Sequence, residues 1–182
     1  EEDFRILRVN PDGTHGTGSG TPDPRFDVYI ANQLGQDQTT ALWRQRKYTA
    51  RNTPIRLASY EEAQLIIAEI ELGQTAVNVI NALHGARGLP QWTPIDVNDD
   101  AEVLSHVIDE RRRELYLESQ HYFDKRRFHE VATARGVTPA QLSPHLPYTP
   151  APGAPFPHGG FYGDQRCLPL PDVERLNNPN IP

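Results

Sequence analysis

The protein is a chain of 182 residues with a net charge of −6 and a pI near 5.6. This length predicts a single domain, and the acidic balance excludes a general nucleic-acid binder, which needs a basic surface to displace counterions from phosphates. A hydrophobic fraction of 37%, with 17 prolines and 13 glycines, predicts a modest core and much irregular structure.

The cysteine count and the hydropathy exclude further kinds of organisation. The single cysteine, Cys167, excludes an internal disulfide and a cysteine-based zinc cluster. No apolar run approaches the roughly 20 residues that a membrane-spanning helix requires. The chain begins with Glu-Glu and contains no methionine. We therefore expect a processed product or a piece of a longer protein, with any targeting signal upstream.

The N-terminal third lacks helical periodicity and predicts short strands joined by loops. Apolar residues at 4–9, 26–30 and 42–48 mark three expected strands. Between the first two lies HGTGSG, residues 15–20, followed by Thr-Pro-Asp-Pro. Glycine and proline at this density favour a flexible loop over a phosphate-binding loop, because no helix follows directly.

Two consecutive helices are predicted in the middle of the chain. The segment SYEEAQLIIAEIELG, residues 59–73, begins with a capping box formed by Ser59 and Glu62 and then carries an apolar stripe. Gly73 is expected to end this helix. A second helix is expected at 75–83, and so short a connection predicts an antiparallel hairpin.

The second half of the chain predicts more helix and then a long coil. A third helix is expected from residue 99 or 100 to 119, because an acidic start suits a helix N-terminus and apolar residues recur at spacings of three and four. A further helical turn or two is predicted at 121–128. Residues 138–163 contain seven prolines and are predicted to form a long coil, partly polyproline II.

The densest charge in the chain is DERRRELYLES, residues 109–119. Opposite charges three or four positions apart on a helix stabilise it by about 0.2–0.5 kcal/mol per pair, so the run neutralises itself and its arginines are not free to bind phosphate. Charged side chains beside an apolar stripe are costly unless paired. We therefore predict a structural ion-pair network of Asp109, Glu110, Arg111, Arg113, Glu114 and Glu118.

A catalytic interpretation of the same run is also open. Glu110 and Glu114 lie one helical turn apart, and a glycoside hydrolase needs two carboxyl groups. Three adjacent arginines are poor surroundings for a general acid with a raised pKa, so we predict no catalytic residue. The seven histidines show no i, i+3 or i, i+4 pair, and HEVAT at 129–133 lacks the second histidine of a zinc motif. We therefore predict no metal site and no cofactor.

Several aromatic residues occupy loop-like sequence. A rigid apolar ring in a loop can stack on a sugar or contact a partner protein, or it can cover the helices, and we favour the covering role. The residues considered for ligand binding are Trp43, Trp92, Tyr148, Phe161 and Tyr162.

Five motifs in order resemble the C-terminal part of the SusD/RagB-type outer-membrane nutrient-uptake lipoproteins, as in a short or truncated, divergent member. They are TPDPRF at 21–26, KYTARNTPIRLASYEEAQLIIAEIELG at 47–73, VINALHGARGLP at 79–90, VIDERRRELYLESQHYFDKRRF at 107–128 and LPLPDVERLNNPNI at 168–181. The chain has Glu118-Ser119-Gln120-His121 where family members usually have Glu-Gly-x-Arg.

The resemblance implies a mainly α fold, with a tetratricopeptide-like scaffold of helical hairpins, long Pro/Gly-rich loops and little sheet. Residues 1–182 would form one domain, the C-terminal portion of a longer protein, with 138–163 a loop within it. The family implies a non-catalytic component that binds oligosaccharides or peptides on the extracellular face of the outer membrane, held by an upstream lipid anchor beside a TonB-dependent, SusC-like transporter. The alternative is a structural or interaction subunit of another bacterial surface assembly, without a glycan ligand.

Overall fold

The computed structural model describes residues 7–16, 20–36, 38–147, 153–155 and 161. The chain divides into two units, residues 1–147 and 148–182. In the second unit, the described backbone forms an antiparallel bridge between Pro155 and Phe161. The strands and helices that follow all belong to the first unit.

Two small antiparallel sheets form the N-terminal part of the described chain. The strands are β1 at Arg8–Val9, β2 at His15–Gly16, β3 at Thr21–Pro22, β4 at Val28–Leu34 and β5 at Ala41–Gln45. The first sheet has the strand order β2-β1-β3 and the second pairs β4 with β5. Leu7, directly before β1, and Val9 in β1 are buried, so the first sheet contributes to the core.

Five helices follow the sheets in the described residues. Three of the five have starts capped by a local side chain. The Ser59 hydroxyl accepts from the Glu62 amide at 3.0 Å, which is one of the two bonds of the predicted capping box, and the Asp99 carboxylate accepts from the amides of Ala101 and Glu102. The helices are α1 at Tyr60–Glu71, α2 at Gly73–Ala86, α3 at Asp100–Glu114, α4 at His121–Ala134 and α5 at Pro139–Leu142.

The first two helices are joined directly and pack against each other. Leu72 separates them with a φ of 51°, and Gly73 follows with a φ of 50°. The first helix is expected to end at Gly73; the observed break lies one residue earlier, at Leu72, and Gly73 is the first residue of α2. Leu72 is still buried, so the chain changes direction without leaving the core.

The core lies between the helices, and α3 contributes most to it. Val103, Leu104 and Val107 of α3 pack with Ile80 of α2 and Phe128 of α4, and none of the five is more than 2% exposed. Burial of a large aliphatic or aromatic side chain contributes about 1.5–3 kcal/mol relative to leaving it in water. The position of α3 is therefore set by apolar packing, and its polar residues must find partners around it.

A close backbone approach places the N-terminal turn against the segment after α2. Gly13 has a φ of 78°, and a Cβ at this residue would lie 2.2 Å from the Cα of Trp92. The amide of Thr93 also donates to the backbone oxygen of Asp12 at 3.3 Å. Glycine is required here because the neighbouring backbone occupies the space of any side chain.

The prediction of a mainly α, tetratricopeptide-like fold with little sheet is wrong. The described chain is a mixture of helices and antiparallel sheets. Residues 7–45 have no 3.6-residue apolar period, and their turn-rich sequence supports extended strands instead of helix. The first sheet is also packed against α3 through buried side chains, so it is an integral part of the fold.

Several element boundaries differ from the sequence expectation. Helix α2 covers Gly73–Ala86 instead of 75–83, and α4 covers His121–Ala134 instead of 121–128. Helix α3 ends at Glu114 instead of 119, because Leu117 and Ser119 adopt φ values of 60° and 63° that end a right-handed helix. The proline-rich segment begins with α5, not coil. Thr138 and Gln141 form a capping box there, and Pro139 occupies the first helical turn, where a missing amide is tolerated.

Candidate functional site

The C-terminal half of α3 buries five charged residues beside the apolar core. Each is at most 6% exposed: Asp109, Glu110, Arg111, Arg113 and Glu114. Charges removed from water in this way destabilise a fold unless each is paired and hydrogen-bonded. The partners of these residues therefore determine whether α3 can be buried in this orientation.

Glu110 lies at the centre of the charged cluster and is fully buried. The guanidinium of Arg25 donates to its Oε1. Its Oε2 lies 2.8 Å from Nε2 of His15 and 3.2 Å from Nε2 of His84. Residues from β2, α2 and the segment after β3 thus converge on one carboxylate.

Asp23 and Arg25, both from the TPDPRF motif, extend the cluster toward the first sheet. Arg25 donates to the two Asp23 oxygens at 2.8 and 2.7 Å. Asp23 Oδ2 also accepts from Nη1 of Arg113 at 3.1 Å, and the same nitrogen lies 3.3 Å from the backbone oxygen of Arg8. These contacts hold the first sheet against α3.

Asp109 and Arg111 point in different directions along α3. Asp109 accepts from Nε of Arg113 at 3.2 Å, and its Oδ2 lies beside Nδ1 of His15. Arg111 donates through Nε and Nη2 to the two oxygens of Asp124 on α4, at 3.1 and 3.0 Å. The bidentate pair with Asp124 therefore links α3 to α4.

Glu114 and Glu118 face an open pocket of about 230 Å³. Arg87 donates to both oxygens of Glu114. Nζ of Lys47 lies 2.6 Å from Oε1 of Glu118 and donates to the backbone oxygen of Tyr116 at 2.6 Å. The pocket is lined by residues of both charges: Pro24, Arg25, Asp27, Arg46, Lys47, Arg56, Arg87, Glu114, Tyr116 and Glu118.

The cluster keeps the carboxylates of Asp109 and Glu110 ionised. Burial alone raises their pKa values, because a buried charge is poorly solvated. Arg25 and hydrogen bonds from two histidines outweigh burial at Glu110 and hold its pKa well below the usual range, and His15 with nearby arginines does the same for Asp109. An ionised Glu110 cannot serve as a general acid, which argues against the glycoside hydrolase alternative.

Three histidines that are distant in sequence converge on Glu110. One ring nitrogen each from His15, His84 and His106 and one oxygen of Glu110 lie within 4.8 Å of one another. Burial lowers the pKa of His15, but Asp109 and Glu110 outweigh burial and raise it. Burial lowers the pKa of His106 to about 3, so this ring is neutral at pH 7. His106 and Glu110 lie four positions apart on α3, which is the one local signal of the cluster, whereas His15 and His84 come from β2 and α2 and no motif spacing connects them to it.

Trp92 supports the histidines from the core. Its ring stacks on His106 with 3.8 Å between centres, and His106 stacks in turn on His15 at 4.5 Å. The side-chain oxygen and nitrogen of Asn81 bond the Trp92 amide and carbonyl at 2.7 and 2.9 Å. Trp92 is only 2% exposed and lines a cavity of about 310 Å³ together with His15 and His106.

The family model described as the SusD family matches residues 40–145, more than half of the chain. The chain belongs to the SusD family. The resemblance drawn from the sequence motifs is therefore confirmed. Comparisons with curated proteins and with solved structures give no match.

SusD-family proteins are nutrient-binding surface lipoproteins and not enzymes. In this member of the SusD family, the matched segment runs from β5 to α5 and includes α3 with its charged face. Asp23 and Arg25, which complete the cluster, precede the match. Among the residues described here, every helix is too short or too polar to cross a bilayer.

The other predicted binding aromatics of this SusD-family chain lie in different settings. Trp43 is half-buried on β5, directly opposite Ile30 of β4. Phe161, in the second unit, is 76% exposed. Tyr148 and Tyr162 lie outside the described residues, as does the motif at 168–181.

Proposed function

We propose that this chain is the non-catalytic binding component of a TonB-dependent outer-membrane nutrient-uptake system. Its ligand would be an oligosaccharide or a peptide, and it would lie on the extracellular face beside a SusC-like transporter. The observation that carries this proposal is the SusD-family match over residues 40–145. The ionised and fully paired state of Glu110 adds support, because it leaves the most catalytic-looking carboxylate without a proton to donate.

The open pocket beside Glu114 and Glu118 is the proposed ligand site in the first unit. Its cations stand next to carboxylates: Lys47 pairs with Glu118, and Arg46 pairs with Asp27 at 3.2 Å. Such walls offer donors and acceptors side by side, and a sugar hydroxyl or a peptide group needs both. A strongly charged ligand would instead meet charges of its own sign. Trp43 remains an aromatic residue proposed for stacking in the first unit, and Phe161 is proposed separately in the second unit.

The pocket can be tested with two exposed arginines on its wall. Arg46 and Arg56 line the pocket and have more than half of their side chains exposed, so their removal should leave the fold intact. We expect the double variant Arg46→Ala/Arg56→Ala to bind its ligand at least tenfold more weakly, since a hydrogen bond to a charged group contributes about 1.5–3 kcal/mol. Arg51→Ala, an exposed arginine that does not line the pocket, is the control.

The ligand is first identified by screening the wild-type chain on oligosaccharide and peptide arrays, and affinities then follow from calorimetry. Equal affinity in the wild type, the double variant and Arg51→Ala would show that the ligand binds outside this pocket. Affinity purification from native membranes tests the partner, and recovery of a TonB-dependent transporter is the expected result. An unrelated surface assembly as the partner, with no glycan or peptide retained, would replace the proposal with the structural-subunit alternative.

A further inference from the structure

The histidines around Glu110 have the spacing of metal ligands. In a tetrahedral zinc site the donor atoms lie about 3.4 Å apart, because zinc–nitrogen bonds are about 2.0–2.1 Å long. Oε2 of Glu110 lies 2.8 Å from Nε2 of His15 and 3.2 Å from Nε2 of His84. A ring nitrogen of His106 completes a group of four donors within 4.8 Å of one another. Small side-chain rotations would bring all four around one ion.

The hydrogen bond made by His84 directs its other nitrogen toward Glu110. Nδ1 of His84 lies 2.6 Å from the backbone oxygen of Pro90, and a carbonyl oxygen can only accept, so Nδ1 carries a hydrogen. Nε2 can then donate to the Glu110 carboxylate at 3.2 Å only if the ring carries a second proton. A metal ion between the two atoms would take the place of that proton. Metal-binding histidines are oriented in this way by a carbonyl on the opposite nitrogen.

His15 has the corresponding arrangement with a carboxylate. Its Nδ1 lies beside Oδ2 of Asp109, and its Nε2 faces Glu110. A carboxylate behind a histidine fixes the tautomer and makes the opposite nitrogen a better ligand. Arg25 binds the other oxygen of Glu110 and keeps Oε2 turned toward the histidines.

His106 supplies a nitrogen that is available as a metal ligand, and it lies on a route by which an ion could enter. Its Nε2 is buried and has no hydrogen-bond partner among the described residues. Such an atom is costly to bury, and a bound ion would relieve the cost. His15 and His106 both line a cavity of about 310 Å³ that also borders Thr14 and Ser143, so an ion could reach two of the four ligands from solvent.

We propose that His15, His84, His106 and Glu110 bind one divalent transition-metal ion of the zinc type. Three imidazoles and one carboxylate favour zinc, cobalt, nickel or copper, whereas magnesium and calcium prefer all-oxygen sites. The ion would join β2, α2 and α3 and would stabilise their packing. The site does not depend on the proposed nutrient-binding function, because none of its four residues lines the pocket beside Glu114.

Calorimetry and thermal unfolding on the metal-free chain test this site. We expect Zn²⁺ and Co²⁺ to bind with 1:1 stoichiometry, Co²⁺ to show the visible absorption of tetrahedral coordination, and Mg²⁺ and Ca²⁺ to have no effect. At a free Zn²⁺ concentration of 100 times Kd, Tm should rise by roughly 5–10 °C, and a chelator should reverse the rise. No binding at micromolar Zn²⁺, or a response shared by Ca²⁺, would refute the site.

Separate variants assign the ligands. His106→Gln and His15→Gln should each weaken Zn²⁺ binding at least tenfold, whereas His121→Gln, at an exposed histidine outside the cluster, should change Kd by less than twofold. Circular dichroism without metal confirms that each variant is folded. Wild-type affinity in both cluster variants would refute the assignment.

Trp92 provides an independent signal. The nearly parallel rings of His15 and His106, inclined by 13°, must tilt before their nitrogens can converge on one ion. His106 would then shift on the Trp92 ring that it stacks against at 3.8 Å. In a Trp43→Phe background, Zn²⁺ should therefore change the fluorescence of Trp92 with the same Kd as calorimetry. Unchanged fluorescence on saturation would contradict coordination by His106.

Discussion

At the scale of single residues, this chain depends on positions where one side chain satisfies several constraints. Glu110 accepts from Arg25 with one oxygen and contacts two histidines with the other, so any replacement changes three partners together. Gly13 is a second position with several constraints, and here the constraints come from the backbone. It combines a left-handed φ with direct contact to the backbone of Trp92. The same neighbourhood thus contains a carboxylate and a glycine that have no close substitutes.

Gly13→Ala tests the close approach at the N-terminal turn. We expect it to reduce the free energy of unfolding by about 3 kcal/mol or more, because about 1–2 kcal/mol of left-handed backbone strain adds to a steric clash. Gly136→Ala is the matched control, since Gly136 has a φ of 70° and nothing within 4 Å of its added Cβ. In the Gly136→Ala control, the free energy of unfolding should fall only by the contribution of the backbone strain. Urea unfolding measures both, and equal losses would contradict the proposed clash with Trp92.

At the scale of elements, α3 is the helix to which the others are attached. Its apolar side packs on α1 and α2, and its charged side reaches the first sheet and α4. Arg111 and Asp124 form the α3–α4 contact, with 5% and 15% of their side chains exposed. Arg46 and Asp27, by contrast, form a pair that is more than half exposed. The two pairs differ in burial and in geometry, because Arg111 makes two hydrogen bonds to Asp124 and Arg46 makes one to Asp27.

Double-mutant cycles on the two pairs should give different coupling energies. We expect about 1–3 kcal/mol between Arg111 and Asp124, because their bidentate contact is shielded from water. For Arg46 and Asp27 we expect less than about 1 kcal/mol, because solvent screens exposed pairs. Each cycle uses single and double substitutions to alanine with urea unfolding at low salt. Equal coupling in both cycles would show that neither burial nor the bidentate geometry strengthens the Arg111–Asp124 pair.

The elements that were predictable from sequence are those with local causes. The α1 start follows from Ser59 and Glu62, and the start of α3 follows from Asp99 and the apolar spacing behind it. The helix at 139–142 was missed although its capping box is also local, because the proline density of 138–163 favoured coil. The end of α3 was missed because the positive φ values after it depend on the surrounding packing.

The candidate site was only half predictable. Asp109, Glu110 and Arg113 attract attention because a charged run beside an apolar stripe needs partners. The partners themselves could not be predicted, since His15 and Glu110 are 95 positions apart and no local rule connects them. Trp92 occupies loop-like sequence, for which a covering role is favoured, and the fold buries it against His106. Its specific partner could not be predicted for the same reason.

At the scale of the whole molecule, the buried charges make stability depend on pH. Burial raises the pKa of Asp23, but Arg25 and Arg113 outweigh burial and lower it below its usual range. A carboxyl group whose pKa is lower in the folded state stabilises the fold above its unfolded pKa of about 3.9. This contribution is lost as the pH falls through the folded-state value.

Asp23→Asn should therefore have a pH-dependent effect. The variant should be less stable than the wild type at pH 7, because Arg25 and Arg113 lose a charged partner. The difference should shrink steadily as the pH falls below about 4, because the unfolded wild-type carboxyl then binds a proton that the folded carboxyl still excludes. Urea unfolding from pH 7 to pH 2.5 measures the difference. A gap that stays constant over this range would show that the Asp23 charge does not stabilise the fold.

The contact between Arg113 and Arg8 also bears on the order in which the chain folds, because it closes a loop of 105 positions. Closing so long a loop costs about 4 kcal/mol beyond a constant, whereas neighbouring helices meet across a few residues. The helices can therefore assemble before the N-terminal strands arrive. Until those strands dock, the partners Arg25, Asp23 and His15 are not in place. The side chains of Glu110 and Arg113 therefore remain hydrated. Docking then removes that water and completes the ion pairs in one cooperative event.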